Sequence, residues 1–508
     1  MASRTSNSIK NSSVALIMYF INLILQFYSR KIFLEYLGTE ILGLNTTATN
    51  LLQFLNLAEL GIGSAVAFNL YKPIAEGDNS KISEIISFQG HLYKRIALGI
   101  VVASIMLMFF FPLIFKKIEL PLWYAYASFI VLLFSSLLSY FVNYKQVVLT
   151  ASQQDYKITY SYKSVMALKV IAQIIAISYF CNGYIWWLVL EAIFAVIASI
   201  FLHIVTIKSF PYIVKTYPFN DVKHKYKHIE SKIKQVFFHK ISGFALTQAS
   251  PLILYGFTTL TVVTFYQNYM LIYMGIVSLM AAVFNGITAS IGNVFVEHPE
   301  RLFIVFKELF SIRFYISAIV CFGFYLFVPQ FIEFWIGAEY ILPSTTLILL
   351  TILLFITLTR QTVENYLFSL GLFQDIWAPV VEMILNIGFS IWFGYYYGLN
   401  GIICGMLISL IAIVLIWKPY FLFTYGLKLR VRYYWSMYIK HTICLVSAVL
   451  ISEICWETIL RNIENDIYIN LISMFIIFGF ILLTSLIFTG CEIISFIQRI
   501  RCLIHKNG

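Results

Sequence analysis

Apolar residues run along this chain in stretches of about twenty, cut by short polar segments rich in Lys, Gly and Pro. A stretch of about 20 apolar residues matches a helix that crosses a bilayer. Taken in order, the stretches predict spans at 14–34, 42–70, 92–115, 121–142, 163–181, 184–207, 236–258, 265–292, 311–331, 341–367, 376–396, 401–425, 434–455 and 468–490. The longest, 42–70, is expected to tilt or to leave the bilayer at one end. The fold class expected is an all-α integral membrane protein of about 14 transmembrane helices.

Composition strengthens that picture. Charged residues make up 12% of the 508, mean hydropathy is +0.84, and a soluble domain would carry about 25% charged residues. The net charge of +11 would suggest nucleic acid in a soluble protein. Here its placement explains it. With an even number of spans, Arg30, Lys31, Lys116, Lys117 and Arg461 fall on one side, and every other Lys and Arg falls on the side of both termini. Basic residues concentrate on the cytoplasmic side, so both termini are expected in the cytoplasm and no nucleic-acid partner is expected. The polar N-terminus leads into a run without an A-x-A-like site, which reads as a retained first helix. The seven cysteines form no CxxC pair and read as buried thiols.

One inward segment, 208–235, is long and carries seven lysines plus His224 and His228. It reads as a basic linker lying at the membrane surface, attracted to anionic lipid. The two histidines lack the Cys or carboxylate companions of a metal site. On either side of the linker the chain repeats itself. "IKN" at 9–11 matches "IKQ" at 233–235, and "VLTASQQDY" at 148–156 matches "FSLGLFQDIW" at 368–377. The offsets of 224 and about 220 residues predict a duplication. The organisation expected is a six-helix lobe at 1–207, the linker at 208–235, a second six-helix lobe at 236–425, and two added helices with a tail at 426–508. Six is even, so the lobes would be parallel repeats around a central cavity.

Polar residues inside the spans mark candidate chemistry. Asn22, Gln26 and Arg30 share one face of span one, and Thr49, Gln53 and Asn56 share one face of span two, flanked by Asn45 and Glu59. Such stripes indicate either helix–helix hydrogen bonding or a wet cavity. The second half adds His239, Gln248, Asn268 and Asn285. Arg360 and Glu364, at i and i+4, are placed to pair, and Pro251 is placed to kink span seven. Glu59, Glu191 and Glu382 stand in apolar runs, where an acid is a functional-site candidate by default. Each is either a group that changes protonation or a strut for a neighbouring base such as Arg30 or Lys169. Gly61 with Ala65, and Gly63 with Ala67, have the spacing that lets helix backbones approach closely. No GxSxG, P-loop or HExxH motif occurs, so an enzyme is not expected.

The run "YSRKIFLEYLGTEILGLNTTATNLLQFLNLAELGIGSAVAFNLYKPIAEGDNSKI" resembles the start of the polysaccharide-transport family of the MOP flippase superfamily, which contains O-antigen and capsule oligosaccharide flippases. Arg30, then Leu37, Gly38, Gly43 and Leu44, then "ELGIGSA", carry the likeness. It implies a flippase of the bacterial inner membrane, moving an undecaprenyl-pyrophosphate-linked oligosaccharide by alternating access for surface polysaccharide synthesis. On that reading Arg30, Lys31 and Arg360 would meet the diphosphate. Asn22, Gln26, Gln53, Asn56, Gln248 and Asn268 would line the cavity, and Glu59, Glu191 and Glu382 would serve coupling to H+ or Na+. No cofactor or metal is implied. The partners implied are the lipid-linked oligosaccharide, membrane lipid and other polysaccharide-assembly proteins. Two alternatives stay open: a cation-coupled exporter of drugs or other small molecules from the same superfamily, and a membrane-embedded polysaccharide polymerase. The second would need a larger outward segment than the short loops here provide.

Overall fold

In the computed structural model the described residues are 4–455, apart from 60–61, 117, 215, most of 228–248, 298 and 373, together with a few between 472 and 480. They form helices and turns, with no strand among them. The first helix, α1, runs Arg4–Leu55 and breaks at Gly38, whose φ of 82° and ψ of 172° leave the helical region. A straight helix of its 52 residues would be about 78 Å long. The chain folds back instead. Asn11 bonds the Gln153 carbonyl at 2.9 Å, while Asn56 shares a cavity with Thr150. Only glycine holds such a φ without strain, so Gly38 is the corner between expected spans one and two.

A single turn of 3-10 helix, Asn56–Glu59, follows α1. Then come α2 (Ile62–Glu76), α3 (Asn79–Phe109), α4 (Trp123–Phe141), α5 (Ser164–Tyr179) and α6 (Gly183–Ser209). The long span at 42–70 is therefore two helices joined by a tight turn. The third span was expected at 92–115, but α3 begins thirteen residues earlier. Gly77 at φ 70° ends α2, and the Asp78 carboxylate caps the backbone N–H of Lys81 at 3.0 Å. A capped start, rather than hydropathy, sets that boundary.

The start of the basic linker lies against α3. Ser83 Oγ donates to the Tyr212 carbonyl at 2.9 Å, and the Tyr217 N–H donates to Ser87 Oγ at 3.1 Å. The short helix α7 (Phe219–Lys225) buries Val222 and leaves Lys223 and Lys225 exposed, with Lys227 exposed just beyond it. Tyr226 Oη donates to Glu84 at 2.7 Å, and Lys225 pairs with the same carboxylate. The linker's positive face points outward because its apolar face is used on α3.

The chain divides into two units, 1–264 and 265–508. The boundary lies within α8 (Leu260–Glu297). In the second unit, α9 (Leu302–Ile336) sets Phe306 edge-on to Tyr366 at 5.0 Å, Phe310 edge-on to Tyr434 at 5.6 Å and Phe314 edge-on to His441 at 5.4 Å. Tyr366 belongs to α11 (Gln361–Ser369), which follows α10 (Ser344–Thr359). Tyr434 and His441 belong to α13 (Arg432–Cys455), the first of the two added helices. His441 Nδ1 lies 2.7 Å from the Met437 carbonyl and must donate to it, so in the neutral ring Nε2, 2.8 Å from Ser311 Oγ, accepts. Between α11 and α13, α12 (Trp377–Ser409) breaks at Gly398. A Cβ on Gly405 would lie 2.4 Å from the Ser390 backbone nitrogen, so the two arms fold closely together.

Nine stretches among the described residues are long and apolar enough to cross a membrane. Ser13–Leu55 and Trp377–Gly426 each include a helix break. Most of span fourteen and about half of span seven lie outside the described residues.

The two matched sequences close on similar backbone turns. Gln154 N–H bonds the Leu149 carbonyl at 2.8 Å with Gln153 at φ 58°; Leu372 N–H bonds the Leu367 carbonyl at 2.9 Å with Gly371 at φ 66°. The same left-handed helix end closes the matched sequence in each half.

Candidate functional site

The first unit holds a cavity of about 530 Å³ around the turn that carries Glu59. Asn56 and Glu59 come from the turn, Gly63, Ser64 and Ala67 from α2, Gln89 and Tyr93 from α3, and Ser136 and Ser139 from α4. Tyr144 and Gln146 come from the next turn, and Val147, Thr150 and Ile158 complete the wall. Hydroxyls and amides dominate this lining.

Geometry fixes several of these groups. Asn56 Nδ2 donates to Ser136 Oγ at 3.0 Å, and Tyr140 Oη donates to Asn56 Oδ1 at 3.0 Å. Tyr93 Oη donates to Glu59 Oε1 at 3.1 Å. The Tyr93 ring meets Tyr140 edge-on at 5.5 Å and Tyr144 at 6.4 Å. Tyr144 lies against bare backbone, since a Cβ on Gly90 would come within 2.9 Å of its ring. Glu59 has no ion-pair partner among the described residues. An ionised carboxylate offers about four acceptor positions, so Glu59 keeps capacity for a donor that enters the cavity.

The overall fold is shared with solved structures. No family model matches the sequence, and no curated protein matches it. A structure described as "Lipid II flippase MurJ, inward closed conformation" aligns over 94% of this chain and 99% of its own, with TM-score 0.67 and 17% identity. An inward-facing multidrug resistance MATE family transporter of the MOP superfamily aligns over 83% of this chain and 99% of its own, with TM-score 0.63 and 15% identity. A MOP superfamily transporter from Pyrococcus furiosus, with a binding pocket of reversed polarity, aligns over 84% and 97% with TM-score 0.54 and 15% identity. The chain has the MOP transporter fold.

Within the MOP fold the expected polar stripe of span two splits. Asn45, nearly buried, accepts from Ser128 Oγ and, at 3.2 Å, from Tyr184 Oη, tying α1 to α4 and α6. Asn56 and Glu59 open into the cavity. Gln53, half-buried one turn earlier, is not among its lining residues, and neither are Arg30 or Lys31. Asn22 donates to the Met18 carbonyl of its own helix at 2.8 Å, while Gln26 and Lys31 are exposed. Gly63 was expected to pack against a helix, but a Cβ there would meet only Tyr93 Oη, at 4.0 Å. Its small size keeps the cavity open instead. Gly61 and Gln248 lie outside the described residues, as does His239.

The other two acids are paired. Glu191 accepts from Lys169 Nζ at 2.8 Å and from Gln173 Nε2 at 3.0 Å, joining α5 to α6. In the second unit, Arg360 lies 3.7 Å from Glu364 and 3.9 Å from Glu382, and Lys418 Nζ reaches Glu364 at 2.7 Å. Arg360 and Lys418 thus hold the two carboxylates around the α10–α11 junction. Asn268 is buried in α8 of the same unit.

Sequence reasoning missed Gln89, Tyr93, Ser136 and Tyr140. The signal was present as i, i+4 pairs, Gln89 with Tyr93 and Ser136 with Tyr140. Starting span three at 92 hid the first pair.

Proposed function

We propose that this protein is a flippase that moves a lipid-linked, undecaprenyl-pyrophosphate oligosaccharide across the bacterial inner membrane by alternating access. The observation that carries this reading is the lining of the cavity. Asn56, Ser64, Gln89, Tyr93, Ser136, Ser139, Tyr144, Gln146 and Thr150 offer hydrogen bonds, with one carboxylate among them. A glycan is a dense array of hydroxyls and finds donors and acceptors along such a lining, whereas a hydrophobic drug makes no use of them. The likeness to the lipid II flippase covers 94% of the chain and the MATE likeness 83%, and the wider coverage supports a lipid-linked cargo. In this reading Glu59 is the group through which H+ or Na+ couples to transport, because it is the cavity carboxylate that no base neutralises. Arg360 and Glu382 act as structural partners.

Deletion of the gene in its native host tests the proposal. Lipid-linked repeat units should accumulate on the cytoplasmic face and surface polysaccharide should disappear. Normal polysaccharide together with drug hypersensitivity would overturn it in favour of an exporter.

A further inference from the structure

Beside the cavity, at the same end of the first unit, stands a cation with no counter-ion among the described residues. Lys145 sits between Tyr144 and Gln146, whose side chains line the cavity, and is itself part-buried. Lys169 and Lys225 each have a carboxylate within reach in this unit. Lys145 has none among the described residues, and burial pulls its pKa below the usual lysine value. His203 lies on α6 one helical turn after Ser199, which the turn carrying Lys145 contacts through Asn143. The His203 Nδ1 is buried and has no hydrogen-bond partner among the described residues.

Asn143 completes the cluster. It is 3% exposed and its Nδ2 donates to Ser199 Oγ at 3.1 Å, one helical turn before His203 on α6. The other amide atom is buried and has no partner among the described residues. Turning the amide over lets the Ser199 hydroxyl donate to oxygen and leaves the NH2 as a free donor. Around His203, the α6 residues Ile197, Ile200, Phe201 and Ile204 are all exposed, as a helix face against lipid chains requires.

We propose that Lys145, His203 and Asn143 form a binding site for the phosphate headgroup of a lipid whose chain lies along the exposed face of α6. A basic group, a ring N–H and an amide meet the oxygens of a phosphate ester, and the apolar face beside them excludes a small free anion as the preferred occupant. The ligand is a membrane phospholipid or a polyprenyl phosphate; the chemistry is shared. This site is separate from the cavity and does not depend on the cargo proposed above.

The test uses the full-length protein in detergent and native mass spectrometry, titrating phosphatidylglycerol, a polyprenyl phosphate, phosphatidylcholine and inorganic phosphate in turn. The unmodified protein should retain one of the two anionic phosphate lipids in preference to zwitterionic phosphatidylcholine and ignore inorganic phosphate. Lys145→Gln combined with His203→Asn should weaken retention by about tenfold or more, while Lys223→Gln, on the exposed linker face, should not. Loss confined to one of the two phosphate lipids assigns the site to that lipid. Lys145→Arg keeps the charge and should keep binding, which guards against a folding defect in the double variant. Equal retention by the double variant and the unmodified protein would overturn the proposal, as would equal loss in Lys145→Arg.

Discussion

Tyr93 and Glu59 meet at 3.1 Å across the cavity, phenol to carboxylate, where the turn after α1 faces α3. The bond links two elements that hydropathy alone would treat as unrelated spans. If Glu59 carries the coupling ion, Glu59→Gln keeps the shape and removes the charge. Surface polysaccharide should fall at least tenfold while the protein still inserts. Tyr93→Phe should give a partial loss and cost stability by about 1–2 kcal/mol. Full export with Glu59→Gln, scored by polysaccharide staining, would remove Glu59 from the mechanism.

Lys169 and Glu191 make a different prediction, because their role is structural. Both side chains are mostly buried. Lys169→Met should lower stability by about 3–5 kcal/mol, since it leaves a carboxylate without its base. Adding Glu191→Leu should restore most of that loss. A thermal-unfolding double-mutant cycle measures the coupling, and additive effects would show that the pair is not a unit.

Gln153 holds a left-handed φ that its counterpart Gly371 holds without a side chain. That conformation costs a side-chain-bearing residue about 1 kcal/mol. Gln153→Gly should therefore raise the unfolding temperature, and Gly371→Gln should lower it. The reverse order in a thermal scan would argue against equivalence of the two turns.

Asp78 allows a prediction with pH. The Lys81 side chain, at 2.8 Å, and the Lys81 backbone N–H hold its carboxyl below the usual value of 3.8. The folded form binds the proton less tightly than the unfolded form. The cap's contribution is therefore present above about pH 3.8 and is lost as pH falls through the lower folded value. Hydrogen exchange at the first turn of α3, corrected for intrinsic rates, should stay protected from pH 7 to 5 and open at lower pH. In Asp78→Ala the turn should be open throughout; identical profiles would show that the cap does not hold it.

Span content was largely legible because bilayer-length apolar runs admit few structures. The junctions were less so. Gly38 and Gly398 could be read as glycines, but nothing in their neighbours announced a corner of the chain. The start of α3 depended on Asp78 reaching Lys81, a local bond that hydropathy averages away. For the site, the stripe on span two singled out Asn56 and Glu59, which the structure places not on that helix but in the 3-10 turn after it. It could not tell that Asn45, on the same stripe, would be spent on Ser128 and Tyr184. That division depends on which neighbouring helix presents hydroxyls and which leaves space, and spacing within one helix does not contain it. Glu191 was equally visible from sequence, yet its partners Lys169 and Gln173 decide its role.

Asn11 also accepts from the Tyr156 backbone N–H at 2.8 Å, so the beginning of α1 is anchored to a turn made 142 residues or more after it. During synthesis those partners do not yet exist when the first helix enters the membrane. At ordinary translation rates the wait is about 7–30 s. Until then α1 has to stay in place by its apolar surface alone, so assembly of this unit finishes at its own N-terminus only after the fourth helix has left the ribosome.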